Sequence, residues 1–115
     1  MQITIEEQKT LHILGYLYYR MGYYEKAERI FSTILIMTHK KPYDKNIFAL
    51  LAVIAISQQN GKKALEYLQN VFDETIIAGK KVLYYFLKAQ ALWLEKRYDE
   101  AQNMLNEYLA IKGND

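Results

Sequence analysis

The sequence predicts an all-α fold built from three helical hairpins in tandem, six helices in all. The first observation behind this is Leu14–Phe31, LGYLYYRMGYYEKAERIF. It reads as the end of one helix, a tight turn at Gly22 and the start of a second helix. Tyr24, Ala27 and Phe31 share one stripe of that second helix, at spacings of i, i+3 and i+7. Gly15 interrupts the first helix at a cost of about 1 kcal/mol relative to alanine. Its place there calls for a close approach that any Cβ would obstruct. The small Ala27 lets the two helices close together, with Tyr18 and Phe31 filling the space around them. The second observation is a repeat of 37 residues. Ala27 recurs as Ala64 and Ala101, Phe31 as Leu68 and Leu105, and Ile30 as Tyr67 and Met104. Ile34 recurs as Val71 and Tyr108, and Leu35 as Phe72 and Leu109. Gly15 is matched by Ala52 and Ala89, small each time, and Leu11 by Phe48 and Tyr85, large and apolar each time. Tyr24 is matched by Gly61 and Tyr98. One ungapped register runs through all three windows, so residues 1–115 read as one domain with repeats at about 5–41, 42–78 and 79–115.

The elements follow in order. Thr4 and Glu7 form a capping-box signature, with Thr at the N-cap and Glu at N3, so the first helix is predicted over Ile5–Met21. The second runs over Tyr24–Thr38. Lys40-Lys41-Pro42 then breaks the chain, because a residue before proline is biased out of the helical region. Asp44 is a good N-cap for a third helix over Lys45–Gln59. Asn60-Gly61 makes the next turn, and a fourth helix follows to about Ile77, ended by Gly79 in the left-handed conformation. The fifth helix is predicted over Lys81–Lys96. The sixth follows Arg97-Tyr98 and ends before Gly113, leaving Asn114-Asp115 to fray.

Composition narrows the function classes. Hydrophobic residues make up 51% of the chain and charged residues 24%, which marks a globular protein. The net charge of +2 is too small to argue for a nucleic-acid or membrane partner. The absence of cysteine excludes a disulfide framework, a zinc-thiolate site and a cysteine nucleophile, and fits a reducing compartment. The opening MQITIEEQK lacks the pattern of a signal peptide. The longest apolar run, Ile47–Ile56, is far short of a membrane span. A cytoplasmic protein without membrane insertion is the expectation.

No enzyme chemistry is legible. His12 lies in a helix without an acidic residue or second histidine at i+4, and His39 sits beside two lysines, so neither marks a metal site. No Gly-rich phosphate loop, H-E-x-x-H or G-x-S-x-G occurs. The acidic pairs Glu6-Glu7, Asp73-Glu74 and Asp99-Glu100 fall near helix ends, where they complement the dipole or stay solvated. Lys40-Lys41, Lys62-Lys63 and Lys80-Lys81 lie at or near turns and read as solvated, with a basic edge for an acidic partner as the alternative. No catalytic residue, cofactor or metal is expected.

The third and fifth helices carry the functional signal. Nothing polar interrupts Ile47–Ile56, and only Lys88 and Gln90 interrupt Val82–Leu94. A helix apolar all round must be covered on all sides. Either the neighbouring hairpins cover these two, or they leave an exposed apolar surface that marks a partner site. Tyrosine, with 11 residues against 4 Phe and 1 Trp, suits core positions such as Tyr18, Tyr24, Tyr85 and Tyr98. Equally it suits the walls of a binding surface, with its apolar body and polar tip.

The repeat resembles the tetratricopeptide repeat, W-x₂-L-G-x₂-Y then A-x₃-F then P at 34 residues. The first copy has Leu11-x₂-Leu14-Gly15-x₂-Tyr18 and Ala27-x₃-Phe31, lacking only the Trp and the Pro. The second keeps Phe48, Leu51, Ala52 and Ala64-x₃-Leu68. The third keeps Tyr85, Ala89, Leu92 and Ala101-x₃-Leu105, with Lys88 in place of the leucine. The longer period implies longer links between hairpins. The resemblance implies a short right-handed solenoid whose concave face is lined by the first helix of each pair. The groove positions it implies are His12, Tyr16 and Tyr19, then Ala49, Val53 and Ile56, then Phe86, Gln90 and Trp93. Tyr19, Ile56 and Trp93 would form a row on which a peptide segment can dock. Repeat arrays usually end in a polar capping helix. None follows the third hairpin here, so a partner or a second copy is expected to cover an end.

Two further stretches, Met1-Gln2-Ile3-Thr4-Ile5 at the start and Asp99-x-Ala101 preceding Tyr108-Leu109-x-x-Lys112 at the end, resemble the YscY-type chaperones of bacterial type III secretion. That resemblance implies a bacterial cytoplasmic chaperone. Its client would be a small secreted export component of the YscX type, and the pair would engage the cytoplasmic domain of the export gate. Needle-subunit chaperones of the YscG type share the size and repeat. A helical scaffold that buries its apolar face in a homodimer, when no client is present, is the other reading. Neither reading includes a nucleic-acid partner.

Overall fold

A computed structural model of the chain describes residues 3–37, 44–71 and 78–113. These form six helices: α1 (Ile5–Arg20), α2 (Tyr24–Met37), α3 (Asp44–Ser57), α4 (Gly61–Leu68), α5 (Ala78–Leu94) and α6 (Tyr98–Lys112). Among the described residues there is no strand. Each helix packs on the next in the chain, and α3 also packs on α5. The result is an elongated stack of 43 × 29 × 21 Å, the shape of a solenoid in which each repeat meets its neighbours.

The three hairpin turns are one turn repeated. Gly22 at φ 85°, Gln59 at φ 58° and Lys96 at φ 61° take the left-handed conformation, and they stand 37 residues apart in sequence. At each, two hydrogen bonds close the end of the preceding helix in a Schellman motif. The Tyr23 N–H donates to Tyr18 O and the Gly22 N–H to Tyr19 O. The pairs Asn60 to Ala55 and Gln59 to Ile56 repeat this, as do Arg97 to Leu92 and Lys96 to Trp93. Only the first copy has glycine at the left-handed residue.

Helix starts vary more. At α1 the capping box forms as expected: Glu7 N–H donates to Thr4 Oγ1 at 3.1 Å, and Thr4 N–H donates to Glu7 Oε1 at 3.0 Å. Asn60 caps α4 by accepting from Lys63 N–H at 3.1 Å. At α6 there is no side-chain cap; Arg97 instead grips Glu100 through two hydrogen bonds of 2.6 and 2.8 Å.

Three expected boundaries move. Asp44 is the first residue of α3 rather than its N-cap. α4 stops at Leu68, well before Ile77. The amide of Gln69 still reaches Leu65 O, but those of Asn70 and Val71 turn to Tyr67 O and Leu68 O. The Asn70 side chain bonds Glu66 O at 3.3 Å, which competes with the helical ladder. Gly79 belongs to α5, which begins at Ala78, so it does not end α4. Lys40-Lys41-Pro42, Thr38 and the terminal Asn114-Asp115 lie outside the described residues.

The core has two clusters that share α3. One joins Ala27, Phe31 and Ile34 of α2 to Ile47, Leu51 and Ile54. The other joins Ala52 and Ala55 to Ala64, Leu68 and Val71 and to Tyr84, Leu87 and Ala91 of α5. α3 is therefore covered on both sides, as its unbroken apolar sequence requires. Two glycines mark close packing: Gly15, at a position that is small in all three repeats, and Gly61, whose equivalents are Tyr24 and Tyr98. A Cβ on Gly15 would meet the buried Phe31 ring at 2.8 Å. A Cβ on Gly61 would meet the backbone oxygen of Ala91 at 2.6 Å, so Gly61 is where α4 and α5 touch. Between hairpins, Lys63 Nζ donates to Glu28 Oε1 at 2.7 Å, and this hydrogen bond holds the lysine above its ordinary pKa.

Candidate protein-binding surface

The nine groove positions fall into two environments. His12 is half-buried, its ring edge-on to Phe31 with centroids 5.8 Å apart. Burial pushes its imidazole below the ordinary histidine value. Tyr16 is exposed, with the Arg20 guanidinium 5.9 Å from its ring centre. Tyr19 is half-buried and packs on Tyr24 at 5.8 Å. Ala49, Val53 and Ile56 are half-buried against the cluster around Ala52 and Leu87.

The third hairpin differs. Phe86, Gln90 and Trp93 are all exposed. They line an open groove of about 460 Å³ together with Ile56, Ala89, Leu94, Tyr98, Ala101, Gln102 and Leu105. Trp93 stands against Tyr98 with ring centres 4.6 Å apart, and Phe86 against Tyr108 at 5.3 Å. Among the described residues, no charged side chain lines this groove. It brings four of the nine expected residues together: Ile56, Phe86, Gln90 and Trp93. The other five line other parts of hairpins one and two.

Tyr98, Gln102 and Leu105 belong to the groove although the sequence reading confined it to the first helices. The signal that locates them is the repeat itself. They stand 37 residues beyond Gly61, Leu65 and Leu68, the positions on α4 that meet α5.

Chemically the surface offers broad apolar and aromatic area with amide groups between. Among the described residues no cluster of acidic or histidine side chains could hold a metal, and no helix is long and apolar enough to cross a membrane. Such a surface belongs to a helical-repeat scaffold that binds proteins. The tetratricopeptide repeat model matches residues 8–35 and 82–115, just over half of the chain, and the chain belongs to that family. The matched stretches are hairpin one and hairpin three. No curated protein matches the chain.

Proposed function

We propose that the protein is a cytoplasmic type III secretion chaperone of the YscY type, holding a small secreted export component for delivery to the export gate. The observation that carries the reading is the uncharged groove along Ile56, Phe86, Trp93 and Leu105. Burying apolar surface contributes roughly 25 cal/mol per Å² before ordering costs are met. A client segment rich in apolar side chains is the partner such a lining recognises. The chain's ends, with the Met1–Ile5 and Asp99–Lys112 motifs, support the secretion assignment by resemblance.

The test is gentle purification of the tagged protein from its own cytoplasm, followed by mass identification of whatever accompanies it at near-equal stoichiometry. A small secreted export component is the expected result. A needle subunit would move the assignment to the YscG type, and recovery of the protein without either would refute the chaperone reading. The Phe86→Ala plus Trp93→Ala variant, both residues being exposed in the groove, should lose the client while remaining helical by circular dichroism. Retained binding at wild-type affinity would remove the groove from the mechanism.

A further inference from the structure

The repeat leaves this chain with two unlike, complementary faces. In hairpins one and two, the face made by both helices receives the first helix of the next hairpin. α3 seats through Ile47, Leu50, Leu51 and Ile54 against Ala27, Phe31 and Ile34. α5 seats through the equivalent Tyr84, Leu87 and Ala91 against Ala64, Leu68 and Val71. The same positions on α1 are Thr10, Ile13, Leu14 and Leu17. Here Ile13 is 62% exposed and Leu17 50%, against 5% for Leu87 and 1% for Ile54.

The receiving face shows the matching contrast at the other end. Phe31 and Leu68 are each 1% exposed, whereas their equivalent Leu105 is only half-buried. Buried Ile34 and Val71 become half-buried Tyr108. The groove along Phe86, Trp93, Tyr98 and Leu105 is thus the repeat equivalent of the seat that α5 occupies on α3–α4. Its aromatic pair Trp93–Tyr98 stands where Tyr19–Tyr24 stands in hairpin one. That earlier pair packs beside a seated α3, so a tyrosine at this position is compatible with a docked helix.

We propose that, when no client occupies it, the α5–α6 face takes α1 of a second copy of this chain, so that the protein associates head to tail and the solenoid continues from one molecule into the next. The occupant is specified by the chain's own pattern. Both internal seats are filled by the helix at the α1 position of the following repeat, and α1 carries the apolar residues for that role uncovered. Neither face brings charge to the contact: the groove lining is uncharged, and so are Thr10, Ile13, Leu14 and Leu17. A contact between two different patches does not close on itself as a two-fold dimer does, so it adds copies in series.

The test is sedimentation velocity of the full chain over a concentration series, with two variants at exposed positions, Leu17→Glu on α1 and Trp93→Glu on the receiving face. Wild type should gain mass steadily with concentration, by roughly twofold or more, without levelling at a dimer. Each variant alone should remain a monomer with unchanged helicity. An equimolar mixture of the two should form a one-to-one dimer that grows no further, because each variant retains one working face. A wild type that stays monomeric throughout would overturn the proposal. So would a dimer that levels off and survives either single substitution, and so would a mixture that stays monomeric. Wild-type growth that a protein partner alone supports would show that the face takes a foreign helix instead.

Discussion

Gly61→Ala is the sharpest test of how the hairpins are packed. The added Cβ would lie 2.6 Å from Ala91 O, 2.9 Å from Leu94 Cβ and 3.1 Å from Glu95 Cγ. The nearest of these is backbone within the last turn of α5, where Ala91 O accepts from Glu95 N–H, so it cannot swing aside. Favourable carbon contacts lie at about 3.5–4.0 Å, and relief requires α4 and α5 to part by several tenths of an ångström along their buried contact. Overpacking of this kind costs about 1–3 kcal/mol. Alanine returns at most about 1 kcal/mol of helix propensity, and less at the first residue of a helix. The net expectation is a loss of about 1–2 kcal/mol, lowering Tm by roughly 4–10 °C for a domain of this size. Thermal unfolding followed by far-UV circular dichroism measures it, with urea titration as a second estimate. An unchanged or raised Tm would refute the argument that this glycine exists to admit α5.

Three further outcomes are expected. Lys96→Gly, at φ 61°, should stabilise by about 0.5–1 kcal/mol, because a left-handed non-glycine residue costs about 1–2 kcal/mol and glycine's greater unfolded-state freedom offsets part of the gain; a lower urea midpoint would contradict the assigned turn. Gln59→Gly, at φ 58° in the equivalent turn, should shift the midpoint in the same direction and, being distant, add to it. His12 has its pKa depressed by burial, so its neutral form is favoured in the folded state. The associated stability is present above the unfolded-state value near 6.5 and is lost as pH falls through the lower folded value. Melting curves from neutral pH downward should therefore fall more steeply for wild type than for His12→Leu, and parallel curves would remove His12 from the pH dependence.

What was legible in the sequence was whatever one repeat determines within itself. The hairpins, their period and the α1 capping box depend on side chains a few residues apart, or on a size pattern that recurs three times. The turn at Gly22 was legible, but the left-handed residue that closes each hairpin was not: Gln59 and Lys96 carry no local signature of that conformation, and the glycine expected to adopt it, Gly79, lies within α5. The end of α4 was not legible either, because it turns on Asn70 engaging Glu66 O where propensity alone would let the helix run on. For the candidate groove, four of the nine positions expected from the sequence, Ile56, Phe86, Gln90 and Trp93, come together, whereas Tyr98, Gln102 and Leu105 from the second helix were not expected there.

The sequence by itself determined which faces of each helix are apolar, and hence the class of fold. Tertiary structure decided which of those faces are covered. α3 and α5 both carry long apolar stretches, broken in α5 by Lys88 and Gln90, yet α3 lies between two hairpins while α5 presents Phe86 and Trp93 outward. Leu17 and Ile54 occupy the same repeat position, and one is half exposed where the other is sealed. The physical reason is that periodicity is written along a single chain segment, whereas burial depends on whether another segment arrives opposite it.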